Sequence, residues 1–271
     1  MENQILDENV SQSTEIGFDE RVANLLSNGY KFDLGNYISI GSKILGKNIG
    51  GYIAFLFSIL IISIVCNFIP VIGALANSFF ISPALSVGFA IMAYRISKNK
   101  STDFGKFFGG FNFIGQLALL NLLLIIIYVA IVIPYILIAL GTQIKEIMDL
   151  VANYRSGDED PMLILQFFLS FIVKLIPLFF ILLIVQIGFS FSKYILVFGK
   201  KGALEAITTS FKIVWKNFIS FFLFFVVLFL INVAGAICLL VGLLYTVPLS
   251  MCAMYAAYDS IVGTNASDIE D

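Results

Sequence analysis

Long uncharged apolar stretches alternate with shorter amphipathic and polar segments along this chain. No charged residue occurs in 49–94 or in 218–258. At 1.5 Å per residue, each of these stretches has about twice the length needed to cross the ~30 Å of hydrocarbon in a bilayer. Each therefore predicts two transmembrane helices. Pro70 and Gly73 mark the turn in the first stretch, and the second stretch turns near 235–242.

The apolar residues between these two stretches predict two more spans. The third span follows the aromatic, glycine-rich segment 104–113 and contains Pro134. Residues 162–198, which include Lys174, are too long for one ideal span and too short for two. We predict one span here, with 162–173 as an interfacial or outward helix, because two spans would separate the basic segments. The predicted spans are 49–69, 75–95, 115–140, 172–195, 218–238 and 241–260.

The predicted fold is an all-α, polytopic membrane protein with six transmembrane helices arranged as three hairpins. Its membrane domain covers 33–262, between a polar, mobile N-terminal tail (1–32) and an acidic C-terminal tail (263–271). Segments 33–48 and 203–217 have the apolar spacing of amphipathic helices, and we expect them on the cytoplasmic membrane surface. Their anchoring side chains, which would bind anionic lipid headgroups, are Lys43, Lys47, Lys212, Trp215 and Lys216.

Composition supports the membrane prediction and narrows the chemistry. Of the 271 residues, 59% are hydrophobic and 13% charged, with a mean hydropathy of +0.98. Soluble domains carry about 25% charged residues. The chain has no histidine, which excludes histidine-based acid–base catalysis and histidine-ligated metals. The predicted spans also show no cluster of polar side chains of the kind that an enzyme requires. We expect no enzymatic activity, cofactor, metal site or nucleic-acid partner, with a membrane-embedded enzyme as the weaker alternative.

The distribution of basic residues predicts the orientation of the chain. With six spans, two basic residues, Lys145 and Arg155, lie on one side of the membrane. Thirteen of the 16 lysines and arginines lie on the other side: Arg21, Lys31, Lys43, Lys47, Arg95, Lys98, Lys100, Lys106, Lys193, Lys200, Lys201, Lys212 and Lys216. Basic residues concentrate on the cytoplasmic side of membrane proteins, so both termini are predicted to be cytoplasmic.

Short sequence matches indicate an internal repeat. KILGKN at 43–48 matches KIVWKN at 212–217, and each begins an uncharged hairpin whose second helix contains a proline, Pro83 or Pro248. A weaker third copy, GKFFGG at 105–110, is similar to GKNIGG at 46–51. The matches predict three successive, parallel units of a surface helix and a hairpin. Shared interfacial chemistry could also produce such short matches.

Polar residues inside the predicted spans are the candidate functional residues. Lys174 could contact an anionic headgroup or substrate, although at a span boundary its ammonium group could instead reach water. Asn121, Gln186 and Asn232 could line a substrate path or could join helices through hydrogen bonds. The segment 41–48 resembles a phosphate-binding loop but lacks the preceding strand and the hydroxyl that holds magnesium, so it does not predict nucleotide binding.

Several segments together resemble a group of bacterial six-span membrane proteins, common in Bacteroidetes, to which no activity is assigned. The segments are FDLGNYISIGSKILGKNIGGYI, NFIPVIGALANSFFISPALSVGF, DFGKFFGGFNFIGQLAL, LEAITTSFKIVWKNF and VGLLYTVPLSMCAMYAAYDSI. The layout is also similar to that of the membrane domain of some glycerophosphoryl diester phosphodiesterases, whose soluble catalytic barrel is missing here. The resemblance implies a bacterial inner membrane and assigns no functional residues.

Two functions follow as hypotheses. The first is a non-enzymatic, membrane-organising or partner-binding component that uses its cytoplasmic amphipathic helices. The alternative is a permease or exporter for a small or lipid-like substrate, with a cavity lined by Asn121, Gln186, Asn232 and Lys174. A hydrated cavity that these side chains share would favour transport, whereas helix contacts alone would favour the first hypothesis.

Overall fold

The regular structure is entirely helical, and no strand occurs among the residues that the structure describes. The computed structural model describes residues 17–144, 147–149, 151–152, 161–265 and 268–269. The α-helices are α1 (Phe18–Asn28), α2 (Leu34–Lys47), α3 (Ile49–Asn67), α4 (Ile72–Ala76), α5 (Ser82–Ser97), α6 (Ile114–Gly141), α7 (Pro161–Gly188), α8 (Ser192–Phe198), α9 (Ala203–Lys216), α10 (Phe218–Ile237) and α11 (Leu243–Ile261). A π-helical segment, Asn77–Ile81, joins α4 to α5, and a 3₁₀ helix, Phe104–Phe113, precedes α6.

Within the described residues, five helical stretches are long and apolar enough to cross a membrane, as expected for a membrane-embedded protein. They are Ile49–Asn67, Ile72–Ser97, Phe104–Gly141, Ile164–Phe198 and Phe218–Ile237. The predicted sixth span, 241–260, coincides with α11, whose composition is too polar for this helix to be among the five stretches. Its second half, from Pro248 to Tyr258, is almost wholly buried, so protein rather than lipid surrounds these residues.

The third and fourth predicted spans lie within longer helical stretches. The 3₁₀ helix leads directly into α6, so the third apolar stretch begins before residue 115. Residues 162–173, for which the sequence predicts an interfacial or outward helix, belong to the same continuous helix as the fourth span. Pro177 lies within this helix without ending it. The outer polar connection falls mostly at 145–146, 150 and 153–160, outside the described residues.

The sequence predicts that the apolar face of α2 lies in the membrane surface. In the structure this face packs against protein. Tyr37 and Leu45 on that face are buried. The helix crosses α11 with the two backbones in contact, and a Cβ atom at Gly41 would lie 2.6 Å from the nitrogen of Ala253. The amphipathic pattern is therefore explained by burial against α11, which the sequence alone cannot distinguish from burial in lipid.

The other two amphipathic segments pack in the same manner on other spans. The 3₁₀ helix packs on α5, where a Cβ atom at Gly110 would lie 2.0 Å from the carbonyl oxygen of Ala84. Helix α9 packs on α7 and α8 through Ser210. The 3₁₀ helix and α9 thus each pack on the second helix of the preceding predicted hairpin, and α2 packs on the second helix of the last predicted hairpin. These three contacts link each predicted hairpin to the next and the last to the first.

An aromatic cluster packs between α5, α8 and α11, near the ends of these helices. Tyr94 of α5 packs on Phe198 of α8 with ring centroids 5.3 Å apart. Tyr258 of α11 packs on Phe198 at 5.8 Å and on Tyr194 at 5.4 Å. These rings are buried, so the cluster joins three different helices where their ends converge.

Both predicted tails are partly folded onto this end of the molecule. Within 1–32, α1 buries Val22 and Leu25, and Lys201 pairs with Asp19 at 2.5 Å. In the C-terminal segment 263–271, the carbonyl oxygen of Asn265 accepts a hydrogen bond from the Tyr94 hydroxyl at 2.9 Å. Within the predicted tail, two buried aliphatic side chains therefore hold α1 against the rest of the protein. Residues 1–16, 266–267 and 270–271 lie outside the described residues.

Candidate functional site

A cavity of about 470 Å³ lies among the membrane-spanning helices. It is bounded by the π-helical segment and by helices α5, α6, α7, α8, α10 and α11. The polar lining residues are Ser78, Ser82, Ser86, Asn121, Gln186, Ser190, Ser192, Lys193 and Tyr194. The apolar and proline lining residues are Pro83, Leu117, Leu120, Leu124, Phe189, Phe225, Met251 and Met254. The size is typical of small-molecule sites, which measure about 300–1,000 Å³.

The π-helical segment shapes one wall of the cavity. A π turn inserts an extra residue into a helix and leaves backbone groups available to other partners, and such turns are frequent at functional sites. Here the side-chain nitrogen of Asn121, on α6, donates to the carbonyl oxygen of Ser78 at 2.9 Å. The Ser82 hydroxyl donates to the side-chain oxygen of Asn77 at 3.2 Å. The Asn121 bond holds α6 against the second span, and the Ser82 bond stabilises the π-helical segment itself.

A break in the fourth span shapes the opposite wall. Helix α7 ends at Gly188 and α8 begins at Ser192. The hydroxyl of Ser210, on α9, donates to the carbonyl oxygen of Gly188 at 2.8 Å and accepts the backbone N–H of Phe191 at 3.1 Å. This one side chain thus satisfies two backbone groups that the break exposes. The break turns Ser190, Ser192 and Lys193 toward the cavity.

Lys193 is the only charged side chain among the described residues that line the cavity. It is half-buried, and its ammonium nitrogen lies 5.7 Å from the centre of the Tyr194 ring. Within the described part of the chain it has no hydrogen bond or ion pair. An ionisable side chain within an apolar, membrane-length stretch is a candidate functional residue.

Two of the four residues predicted to contact substrate do line this cavity. Asn121 and Gln186 face it from α6 and α7, and the Tyr128 hydroxyl donates to the side-chain oxygen of Gln186 at 2.6 Å. The Gln186 amide oxygen is thereby engaged and its nitrogen is left to donate elsewhere. Of the four predicted residues, Asn121 and Gln186 share this cavity, and their contact with a substrate stays a prediction.

The other two predicted residues lie elsewhere. Asn232 joins α10 to α11, because its side-chain nitrogen donates to the Ser250 hydroxyl and to the carbonyl oxygen of Leu228, each at 2.8 Å. Lys174 lies on α7, beside an open groove whose described lining comes from that helix alone. Its carbonyl oxygen accepts the Tyr135 hydroxyl at 2.6 Å. Neither residue lines the polar cavity.

Sequence reasoning missed the residues at the break in the fourth span. It assigned Lys193 to a cytoplasmic basic segment and did not consider Ser192. The signal was the sequence FSFSK at 189–193, where polar residues interrupt an apolar stretch before the predicted end of the span. The break between α7 and α8 brings Lys193 beside the cavity. The position of Lys193 in the sequence, close to other lysines, does not predict this location.

The predicted interfacial anchors lie on the surface of α2 and α9. Lys43, Lys47, Lys212, Trp215 and Lys216 are all exposed. The Trp215 ring stacks on Phe211 with centroids 5.2 Å apart, and the Lys216 ammonium donates to the carbonyl oxygen of Leu26. Their exposure beside the membrane-spanning helices is consistent with contacts to lipid headgroups.

Among the described residues, no group of three or more histidine, cysteine, aspartate or glutamate side chains lies close enough together to hold a metal ion. The three cysteines, Cys66, Cys238 and Cys252, are free. Comparisons with protein families, with curated proteins and with solved structures found no match to this chain. The cavity and its lining residues are therefore the basis for assigning a function.

Proposed function

We propose that this protein is a permease or exporter that binds a small or lipid-like substrate in the polar cavity. The observation that carries the proposal is the convergence of Asn121, Gln186, Ser190 and Lys193 on one cavity among apolar helices. Polar groups are costly in a membrane interior, and helix contacts alone need few of them. A hydrated or ligand-filled cavity explains why so many lie together.

The proposal includes a sixth span, α11, and places both termini in the cytoplasm of a bacterial cell, as in the group that the sequence resembles. Helix α11 has 19 residues, enough to cross most of the hydrocarbon layer. It needs less apolar surface than a peripheral span because α2, α3, α5 and α10 surround it. Six spans then bring the basic interfacial segments to the cytoplasmic side.

The aromatic cluster supports a carrier with two access states. Tyr194 lines the cavity and also packs on Tyr258 in the cluster. Beyond it, Tyr94 and Tyr255 bond to the C-terminal segment at Asn265 and Thr264. The cluster therefore lies between the cavity and the terminal end of the molecule. Transport would require these rings to separate.

Accessibility of introduced thiols tests the proposal. In a background with Cys66, Cys238 and Cys252 replaced by alanine, Ser86→Cys places a thiol on the cavity wall. Ile126→Cys, an exposed apolar position on α6, provides a matched control that faces lipid. A small, anionic methanethiosulfonate reagent should modify the thiol at position 86 and leave the control unreacted. A carrier should show this reaction in both right-side-out and inverted vesicles.

Equal reaction at positions 86 and 126, or reaction at neither, would refute a water-accessible cavity and with it the transport proposal. Reaction from one side alone would instead indicate a binding protein that does not carry its ligand across. The orientation needs its own experiment. A variant that keeps only Cys238, exposed in the turn between α10 and α11, should react with an impermeant maleimide in intact cells. A variant that keeps only buried Cys252 should not.

The exposed basic side chains support a second candidate function, a membrane-organising or partner-binding role. Lys43 and Lys47 are exposed on α2, and Lys212 and Lys216 are exposed on α9, which also carries exposed Trp215. Each such lysine near an anionic leaflet contributes about 1 kcal/mol of attraction. Replacing all four by glutamine should lower retention on anionic vesicles if these helices hold lipid or an acidic partner. It should leave thiol accessibility at position 86 unchanged.

A further inference from the structure

We propose that the cavity binds the anionic headgroup of an amphiphile, a phosphate or carboxylate joined to an apolar body. The ammonium group of Lys193 supplies the charge, and neighbouring hydroxyl and amide groups supply hydrogen bonds. This inference rests on the proposed transport function and names the chemistry of its substrate. The sign of the charge, the set of donors and the apolar floor each support it.

The sign of the charge follows from the lining. Lys193 is the single charged residue among the described lining residues, and none of them is an aspartate or glutamate. Within the described residues, the ring of Tyr194 is its only partner. A ring face attracts the ammonium group but leaves its donors open. An anion in the cavity would complete the pairing that the protein itself does not supply.

The uncharged polar groups at the same wall are also donors. The hydroxyls of Ser190 and Ser192 are buried and have no hydrogen-bond partner. Rotation about one side-chain bond turns such a hydroxyl toward a ligand. The Gln186 oxygen already accepts from Tyr128, which leaves its amide nitrogen as a donor. Buried polar groups without partners are rare in folded proteins, and two beside a lysine indicate a missing acceptor.

Apolar side chains line another part of the cavity and suit a hydrocarbon body. Leu117, Leu120 and Leu124 line it from α6, and Phe225 and Met254 line it from α10 and α11. A free inorganic anion would gain nothing from these side chains. An amphiphile places its headgroup at the broken fourth span and its tail along α6. Methionine adapts its shape readily, so the floor tolerates chains of differing length.

Calorimetric titration of the full-length protein in phosphatidylcholine nanodiscs at pH 7 tests the inference. The probes are octyl phosphate, octanoate, the neutral analogue octanol, and inorganic phosphate. The variants are Lys193→Met, which removes the charge, Lys193→Arg, which keeps it, and the control Lys174→Met on the same helix outside the cavity. Elution as a monodisperse peak by size-exclusion chromatography verifies that each variant folds.

We expect octyl phosphate and octanoate to bind the unaltered protein and the Lys174→Met control equally. Lys193→Met should weaken both anions by at least about tenfold, and Lys193→Arg by much less. Octanol should bind weakly and equally to all variants. Adding phosphatidylglycerol to the nanodiscs identifies the source of the headgroup. It should compete with octyl phosphate if lipid enters the cavity and should have no effect if the ligand enters from water.

Three results would overturn the inference: equal anion affinity with and without the Lys193 charge, octanol binding as tight as octyl phosphate, or inorganic phosphate binding as tight as octyl phosphate. The last would show that the apolar floor contributes nothing. If Lys193→Met does not alter binding while the thiol at position 86 remains accessible, only the anion assignment fails. If that thiol is inaccessible, the transport proposal fails too.

Discussion

Replacing Gly110 by alanine would place a methyl group against the backbone of α5. The Cβ atom would lie 2.0 Å from the carbonyl oxygen of Ala84, whereas carbon–oxygen contacts in proteins have their minimum near about 3.3 Å. The 3₁₀ helix and α5 must therefore separate by roughly 1.3 Å at this point. The obstacle is backbone rather than a flexible side chain, so no rotamer change can relieve it.

The neighbouring glycine provides a matched control. A Cβ atom at Gly109 would meet only the side chain of Ile91, at 3.4 Å, which is an ordinary contact. Overpacking costs about 1–3 kcal/mol, and replacing glycine by alanine otherwise gains up to about 1 kcal/mol in a helix. The gain from alanine is common to both variants and cancels, so we expect Gly110→Ala to be less stable than Gly109→Ala by about 1–3 kcal/mol.

Thermal unfolding in detergent, followed by the fluorescence of Trp215, measures this difference. For a chain of this size, 1 kcal/mol corresponds to about 2–4 °C, so Gly110→Ala should unfold roughly 2–12 °C below Gly109→Ala. Gly41→Ala should behave like Gly110→Ala, since its Cβ atom would meet the backbone of Ala253. Midpoints for Gly110→Ala and Gly109→Ala that agree within error would show that the amphipathic segments do not dock by backbone contact.

Three further predictions concern the contacts that hold the helices together. Tyr30→Phe removes a 2.8 Å hydrogen bond to the carbonyl oxygen of Ile213 and should lower the free energy of unfolding by about 1 kcal/mol, measured by denaturant titration. The pKa of Lys201 is raised by its bond to the Asp19 carboxylate, so this pairing stabilises α1 below about pH 10.4, the unfolded lysine value. It should be lost as the pH rises through the higher folded pKa, seen as a lower protection factor in α1, which is the intrinsic base-catalysed exchange rate divided by the observed rate; an unchanged protection factor would refute the pairing. Asn232→Leu should cost about 0.6 kcal/mol and leave octyl phosphate affinity unchanged, because Asn232 joins helices outside the cavity.

The apolar pattern alone was sufficient to predict a helical membrane protein. Apolar stretches of membrane-spanning length identified the five candidate spans, because hydrocarbon imposes its requirements on every lipid-facing residue. The sequence also located the amphipathic helices α2 and α9 and the candidate residues Asn121 and Gln186. These are local properties of the chain, and a local pattern is enough to indicate them.

Tertiary structure decided which polar residues share a site. Asn232 and Gln186 have the same side-chain chemistry in similar apolar surroundings, yet one joins α10 to α11 and the other faces the cavity. The sequence places Lys193 in a basic segment on the cytoplasmic side. In the structure, the break after Gly188 brings this lysine beside the cavity. The amphipathic face of α2 meets α11 rather than lipid, because contacts between residues about two hundred positions apart follow from packing, which the periodicity of a single helix does not encode.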